Sequence, residues 1–304
     1  MKSKWMGAVV ILMMFTLTPG AWAQDAGLKA KVEAFYAQKD SFNNAKNLEG
    51  IFSLLADDYQ VIKLGLDRKG LRNLLTTIFS SYEGIQRTDT PLEISRYGEF
   101  IKVLLSSKML GKTADGEWKE LSNTYAIEYL RPEGGSFKIA RSGEIDKTRL
   151  NLIRGQTYSD PEGPFDFTAP QGWEIIPGVQ PGMKGTVVVL APDMSSMALM
   201  GYLKIPGISA QQAAEGDETL TKSLSQNTVY ELYKSGPVKV GPYEGFETES
   251  RFNISNTGDR HRRRVYFKAH GSLYVLCFDA IPFDKWDSVK DGFQSILASI
   301  KVED

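Results

Sequence analysis

Cysteine is almost absent from this chain. Cys277 is the single thiol in 304 residues, so an intramolecular disulfide framework is excluded. Its place in the apolar run Leu273–Phe278 reads as a small buried hydrophobe rather than a reactive thiol. Histidine is nearly as scarce: only His261 and His270 occur, with no cysteine or acid at ligand spacing, so no metal site and no cofactor are expected. There is no G-x-S-x-G, no G-x-x-x-x-G-K-[ST], no H-E-x-x-H and no EF-hand loop, and no internal repeat. Positive charge is not in excess either. The net charge of −1 argues against a nucleic-acid partner, which calls for a strongly basic footprint. Beyond residue 17 no apolar run is long enough to span a bilayer.

What is present begins with a leader. Lys2 and Lys4 precede the apolar run Met6–Leu17, Pro19-Gly20 breaks it, and Ala21-Trp22-Ala23 is a small-x-small cleavage site. This is the pattern of a secretory signal peptide over residues 1–23, cut after Ala23. The expected location is therefore periplasmic or secreted, with no membrane span after leader removal. Loss of the two lysines moves the net charge from −1 to −3. The remaining length suits two domains, and 42% hydrophobic with 11% aromatic residues suffices for real cores.

The first half reads as helices, then strands. Leu28, Val32, Phe35 and Tyr36 share one helix face. Leu48, Ile51, Phe52 and Leu55 form a second, ended by Asp57-Asp58-Tyr59. Asp67 is an N-cap for a third, with Leu71, Leu74, Leu75, Ile78, Phe79 and Tyr82 on its face. After Gly84 the period changes to 2. Leu92–Tyr97 alternates, Phe100–Leu105 is continuously apolar, Asp115-Gly116 turns a hairpin, and Trp118–Arg131 and Phe137–Ile145 are strands. The expected class is α+β, helices against a curved antiparallel sheet.

The segments Leu48–Tyr59, Asp67–Leu75 and Tyr129–Ile139, in this element order, resemble the nuclear-transport-factor-like superfamily, which includes SnoaL-like domains with a cystatin-like cone. The resemblance covers residues 26–150. It implies a pocket inside the cone, and it implies self-association of the kind that family often shows, a homodimer through the cone. Its enzymes place an Asp or His base in that pocket. This half has no histidine. The acids near its helices are Glu33, Asp40, Asp57 and Asp58, so an isomerase- or dehydratase-type enzyme would use Asp57 or Asp58 as general base. Tyr36, Asp58, Tyr59, Tyr125 and Tyr129 are the candidate lining of a pocket for a small apolar ligand.

Residues 151–156 are expected to link the halves. From Tyr158 the sequence runs Asp160, Phe165, Phe167, Pro170, Gly172, Trp173, an F-x-F-x-x-P-x-G-W opening. Pro170 and Gly172 set a turn that places the indole under a sheet. Strands follow at Thr186–Leu190, Met197–Ile205, Tyr230–Val240 (interrupted at Gly236-Pro237), Glu244–Ile254, Arg260–Ala269 and Leu273–Ala280. Ser209 caps one helix, and Pro282–Ile300 is a closing amphipathic helix. The opening motif, the strand Gly185–Pro192 and the final helix resemble PsbP-like and DcrB-like domains over residues 157–304. The resemblance implies an exported protein that acts by binding. Within this half Arg260, Arg262 and Arg264 point one way on a strand together with Lys268, a candidate surface for an anionic envelope component or an acidic protein partner. With no nucleophile–base pair in either half, the expected function is a non-catalytic two-domain binding protein of the cell envelope.

Overall fold

The computed structural model describes residues 19–62, 67–160, 165–178, 184–194, 196–205, 207–225, 229–253 and 259–302, with side chains from residue 26 onward. The leader's apolar run and the side chains at its cleavage site lie outside the described residues.

The N-terminal half opens with helix α1 (Pro19–Asn44), then α2 (Leu48–Ser53), strand β1 (Leu55–Val61) and α3 (Arg68–Ser81). Asn47 and Asp67 cap α2 and α3, each accepting a backbone N–H three residues on. Strands β2 (Gly84–Tyr97), β3 (Phe100–Lys112), β4 (Trp118–Glu133) and β5 (Ser136–Ile145) form an antiparallel meander. β1 joins its far edge parallel to β5, so the sheet order is β1-β5-β4-β3-β2. One expectation is corrected here. Asp57 and Asp58 do not end a helix; they lie on β1, where a register irregularity between Leu55 and Gln60 turns both outward while Leu55 and Tyr59 stay buried.

The inner face of this sheet carries Ile101, Val103, Leu105, Leu130 and Ile139. It packs on Val32, Phe35 and Tyr36 of α1, on α2, and on Leu75 and Phe79 of α3. The 3.6-residue spacing predicts these faces, with two corrections: Leu74 of α3 is exposed, and Leu55 begins β1 instead of ending α2.

The second half starts without a loose tether. Lys147–Leu152 is a 3-10 turn, β6 (Ile153–Arg154) pairs with β7 (Thr157–Asp160), and Gly155 at φ +62° makes the turn between them. β8 (Phe165–Thr168) and the terminal β16 (Lys301–Val302) complete a small sheet in the order β16-β8-β7-β6. The larger sheet contains β9 (Glu174–Pro177), β10 (Lys184–Leu190), β11 (Met197–Leu203), β12 (Tyr230–Val240), β13 (Tyr243–Asn253), β14 (Asp259–Ala269) and β15 (Ser272–Ala280). Its order is β12-β13-β14-β15-β11-β10-β9. β12 runs unbroken through Gly236-Pro237, because an edge strand tolerates proline's missing donor.

Helix α4 (Ala210–Leu224), held by a capping box between Ser209 and Gln212, covers one face beside Tyr266 and Leu273. Helix α5 (Trp286–Ser299) covers the other through Val289, Phe293, Ile296 and Leu297. Gly172 turns at φ +82° and Trp173 drops onto α5. There the indole meets Phe293 edge-on at 5.4 Å and lies so close to Gly292 that a Cβ would stand 2.4 Å from it.

The two halves share a third core. Phe100, Leu104, Ile127, Tyr129, Ala140 and Ile145, on the outer face of the N-terminal sheet, pack against Ile176, Val188, Leu190, Met194, Met197 and Ile281. β3 and β10 are therefore buried on both faces, the physical reason their sequences are continuously apolar. The main chain joins too: Asp146 N–H donates to the Pro177 carbonyl at 2.9 Å, and Ile145 bridges to Gly178.

Candidate functional site

A cavity of about 170 Å³ lies inside the N-terminal half, between the helices and the inner sheet face. Its apolar wall includes Ile51, Leu54, Leu55, Leu71, Leu75 and Ile139. Its polar wall is Lys39, Asn43, Tyr59, Arg87, Glu128 and Ser142.

The polar wall follows from local geometry. Lys39 and Asn43 stand 7 and 11 residues after Val32, which keeps them on the buried face of α1. On β4 the alternation puts Glu128 inward, between the outward-facing Ile127 and Tyr129. Lys39 Nζ bridges Glu128 at 2.6 Å and Asp89 at 3.0 Å, with all three side chains nearly inaccessible. Arg87 reaches Asp89 at 3.0 Å and donates to Ser107 Oγ at 3.2 Å, while Ser107 Oγ donates to Asp89 at 2.6 Å. The Tyr36 hydroxyl donates to Glu128 at 2.9 Å. Burial and the neighbouring Glu128 raise that phenol well above its ordinary value. Asp89 is held well below the usual carboxylate range: burial opposes ionisation, but Lys39 and Arg87 prevail.

Two cations and two anions thus balance, and buried charges persist only when so paired. Asp40 adds a third carboxylate. It accepts the Asp89 backbone N–H at 2.9 Å, and its other oxygen, Oδ1, is buried without a partner. Burial pushes its pKa up to about 6.

The candidate residues from the sequence divide. Tyr59 lines the cavity, its hydroxyl 2.6 Å from Ser142 Oγ, and Tyr36 stands behind Glu128. Asp58, Tyr125 and Tyr129 do not belong to it. Tyr125 and Tyr129 share the outer face of β4 with Ile127. Tyr129 is buried in the core shared by the halves beside Glu174, and Tyr125 is exposed under the Lys147 ammonium at 4.7 Å. Asp58 is half-exposed and gripped by both Arg131 guanidinium nitrogens at 2.9 and 2.8 Å, a bond that holds its carboxyl below the usual range. Asp57 is fully exposed and paired with Arg68 at 2.9 Å. Neither acid faces the cavity, so neither can serve there as a base, and the cavity is half polar rather than apolar.

The basic strand is also corrected. Arg260 and Arg262 both bind the buried carboxylate of Asp279. Arg264 pairs with Asp217 of α4 at 3.0 Å and donates to Thr221 at 2.8 Å. Strand alternation does turn these residues to one face, but α4 and β15 supply that face with acids. Only Lys268 is exposed. Cys277 sits beside Asp279, with burial raising its thiol to about 11. On the opposite face His261 stacks on Trp286 at 4.0 Å and bonds Glu249 at 2.8 Å. Among the described residues no three His, Cys, Asp or Glu side chains converge as a metal ion requires, and no helix is long and apolar enough to cross a membrane.

No family model matches this chain, and no curated protein does. Solved structures are similar to parts of it. One is PsbP (CyanoP) from Synechocystis sp. PCC 6803, at 21% identity over 49% of this chain and 92% of that one, TM-score 0.39. Another is an NTF2-like protein with a cystatin-like fold from Novosphingobium aromaticivorans, at 12% identity over 42% and 90%, TM-score 0.34.

Proposed function

We propose that this chain is an exported binding protein whose N-terminal cavity takes a small amphiphile of about one ring, without catalysis. The observation that carries the reading is the divided cavity itself. At about 170 Å³ it is close to the roughly 150 Å³ that holds benzene in an engineered apolar cavity. Aliphatic side chains would cover the ring, and Asn43, Arg87 and Glu128 would meet a polar substituent. The carboxylates of the polar wall are committed to Lys39 and Arg87, which favours holding a ligand over moving its protons. The leader supports export.

The second half supports this reading as a buttress. It covers part of the outer face of the N-terminal sheet, at Phe100, Leu104, Ile127 and Tyr129, and the mature chain is expected to be monomeric by light scattering. The binding test is calorimetry of the mature chain with phenol and with benzene. Phenol is expected to bind more tightly, and Leu71→Phe, which adds bulk at a half-buried lining position of the cavity, to abolish it. Equal binding by wild type and Leu71→Phe would place the ligand elsewhere and end this reading.

A further inference from the structure

A second and larger cleft, about 440 Å³, opens at the other end of α1. Its floor is Ile101 and Phe137, both buried, and its walls include Leu28 and Lys31 of α1 and Arg96 of β2. It shares no lining residue with the cavity described above. Lys31 and Lys39 stand eight residues apart on α1, roughly 12 Å along its axis.

The charge of this cleft is one-sided. Among the described residues Lys31 and Arg96 both line it, and no acid does. Every cation of the polar wall in the smaller cavity has a carboxylate within 3.0 Å. Among the described residues neither Lys31 nor Arg96 has an ion-pair partner. Two uncommitted cations beside an apolar floor are complementary to a molecule with one anionic end and an apolar body. The volume is about three times that of a benzene-holding cavity, room for roughly ten to fifteen heavy atoms.

We propose that this cleft is a second binding site, for a free amphiphilic carboxylate. The Lys31 ammonium and Arg96 guanidinium take the carboxylate, while Leu28, Ile101 and Phe137 take the chain. The site stands independently of the inner cavity. Both cations are exposed, so charge-reversed variants are expected to fold.

The test is calorimetry of the mature chain with decanoate and, separately, decanol. Decanoate is expected to bind at least tenfold more tightly than decanol, with an affinity that falls as salt rises. Lys31→Glu with Arg96→Glu is expected to weaken decanoate at least tenfold at unchanged melting temperature, and Leu71→Phe to leave it unchanged. Decanoate that does not bind, or binds the charge-reversed variant equally, overturns the proposal. Loss of phenol binding by Leu71→Phe with decanoate retained separates the two sites.

Discussion

The Tyr97 hydroxyl, at the end of β2, donates to the carbonyl of Gly172 at 2.9 Å. One residue on, Trp173 enters the C-terminal core, so the turn that opens the second half is fastened to the last residue of a strand in the first. Arg141 makes a similar tie. Its guanidinium donates to the carbonyls of both Asp58 and Met194. The halves are bound by hydrogen bonds as well as by the apolar side chains of their shared core.

Separated halves should therefore fail as independent proteins. A fragment of residues 26–150 would expose Phe100, Leu104, Ile127 and Tyr129, each worth about 1.5–3 kcal/mol when buried. Expressed alone, it should aggregate or bind a hydrophobic dye, and co-expression with residues 151–304 should restore solubility. Size-exclusion chromatography checks this. A monodisperse, dye-silent fragment would show that the shared core contributes little.

Glu174 is buried and paired with Lys102 across the same junction. Lys102→Met leaves that carboxylate without its cation and should cost about 1–3 kcal/mol, discounted because the lysine is partly exposed. Adding Glu174→Gln should recover part of the loss. Urea melts of the two single variants and the double variant measure the coupling.

Much of this was legible in the sequence. The helix faces, the caps at Asp67 and Ser209, the hairpin at Asp115-Gly116 and the Trp173 turn all follow from local spacing and backbone preference. The polar wall was missed because Lys39, Asn43, Arg87, Asp89 and Glu128 are ordinary surface residue types, and their burial depends on three elements meeting. One trace was available: Lys39 and Asn43 extend the stripe of Val32, Phe35 and Tyr36 at helical spacing. The arginine strand misled for the converse reason. Its alternation was right, but the neutralising Asp217 and Asp279 come from distant elements. The shared core, too, was written only as the unbroken apolar texture of β3 and β10.

Arg262 and Asp279 give a pH prediction. Although burial opposes ionisation, the arginines hold the Asp279 carboxyl down to about 2, below the roughly 3.9 of an unfolded chain. Its contribution to stability is complete above about pH 5 and is lost as pH falls toward 2. Arg262→Met should lower stability by about 3 kcal/mol at pH 7 and flatten the loss between pH 5 and 2. Denaturant melts across that range decide it. An unchanged acid limb would mean that Asp279 does not depend on Arg262.

Asp40 has the opposite sign. Its folded pKa of about 6 exceeds the unfolded value, so protonation favours the folded state. This group's contribution should rise as pH falls from 7 through 6 toward 4. Asp40→Asn retains an oxygen for the Asp89 N–H and should stabilise the protein by about 1 kcal/mol at pH 7.5, discounted for partial exposure, with little effect at pH 4.5. Thermal melts of both proteins at the two pH values check the sign.

The most direct test of the binding account is amide NMR of the mature chain titrated with phenol. Saturable shifts are predicted at Tyr59, Leu71, Leu75 and Arg87, with Arg260, Arg262 and Arg264 unmoved. Saturable binding that leaves the four cavity amides in place, or no binding at all, would contradict it.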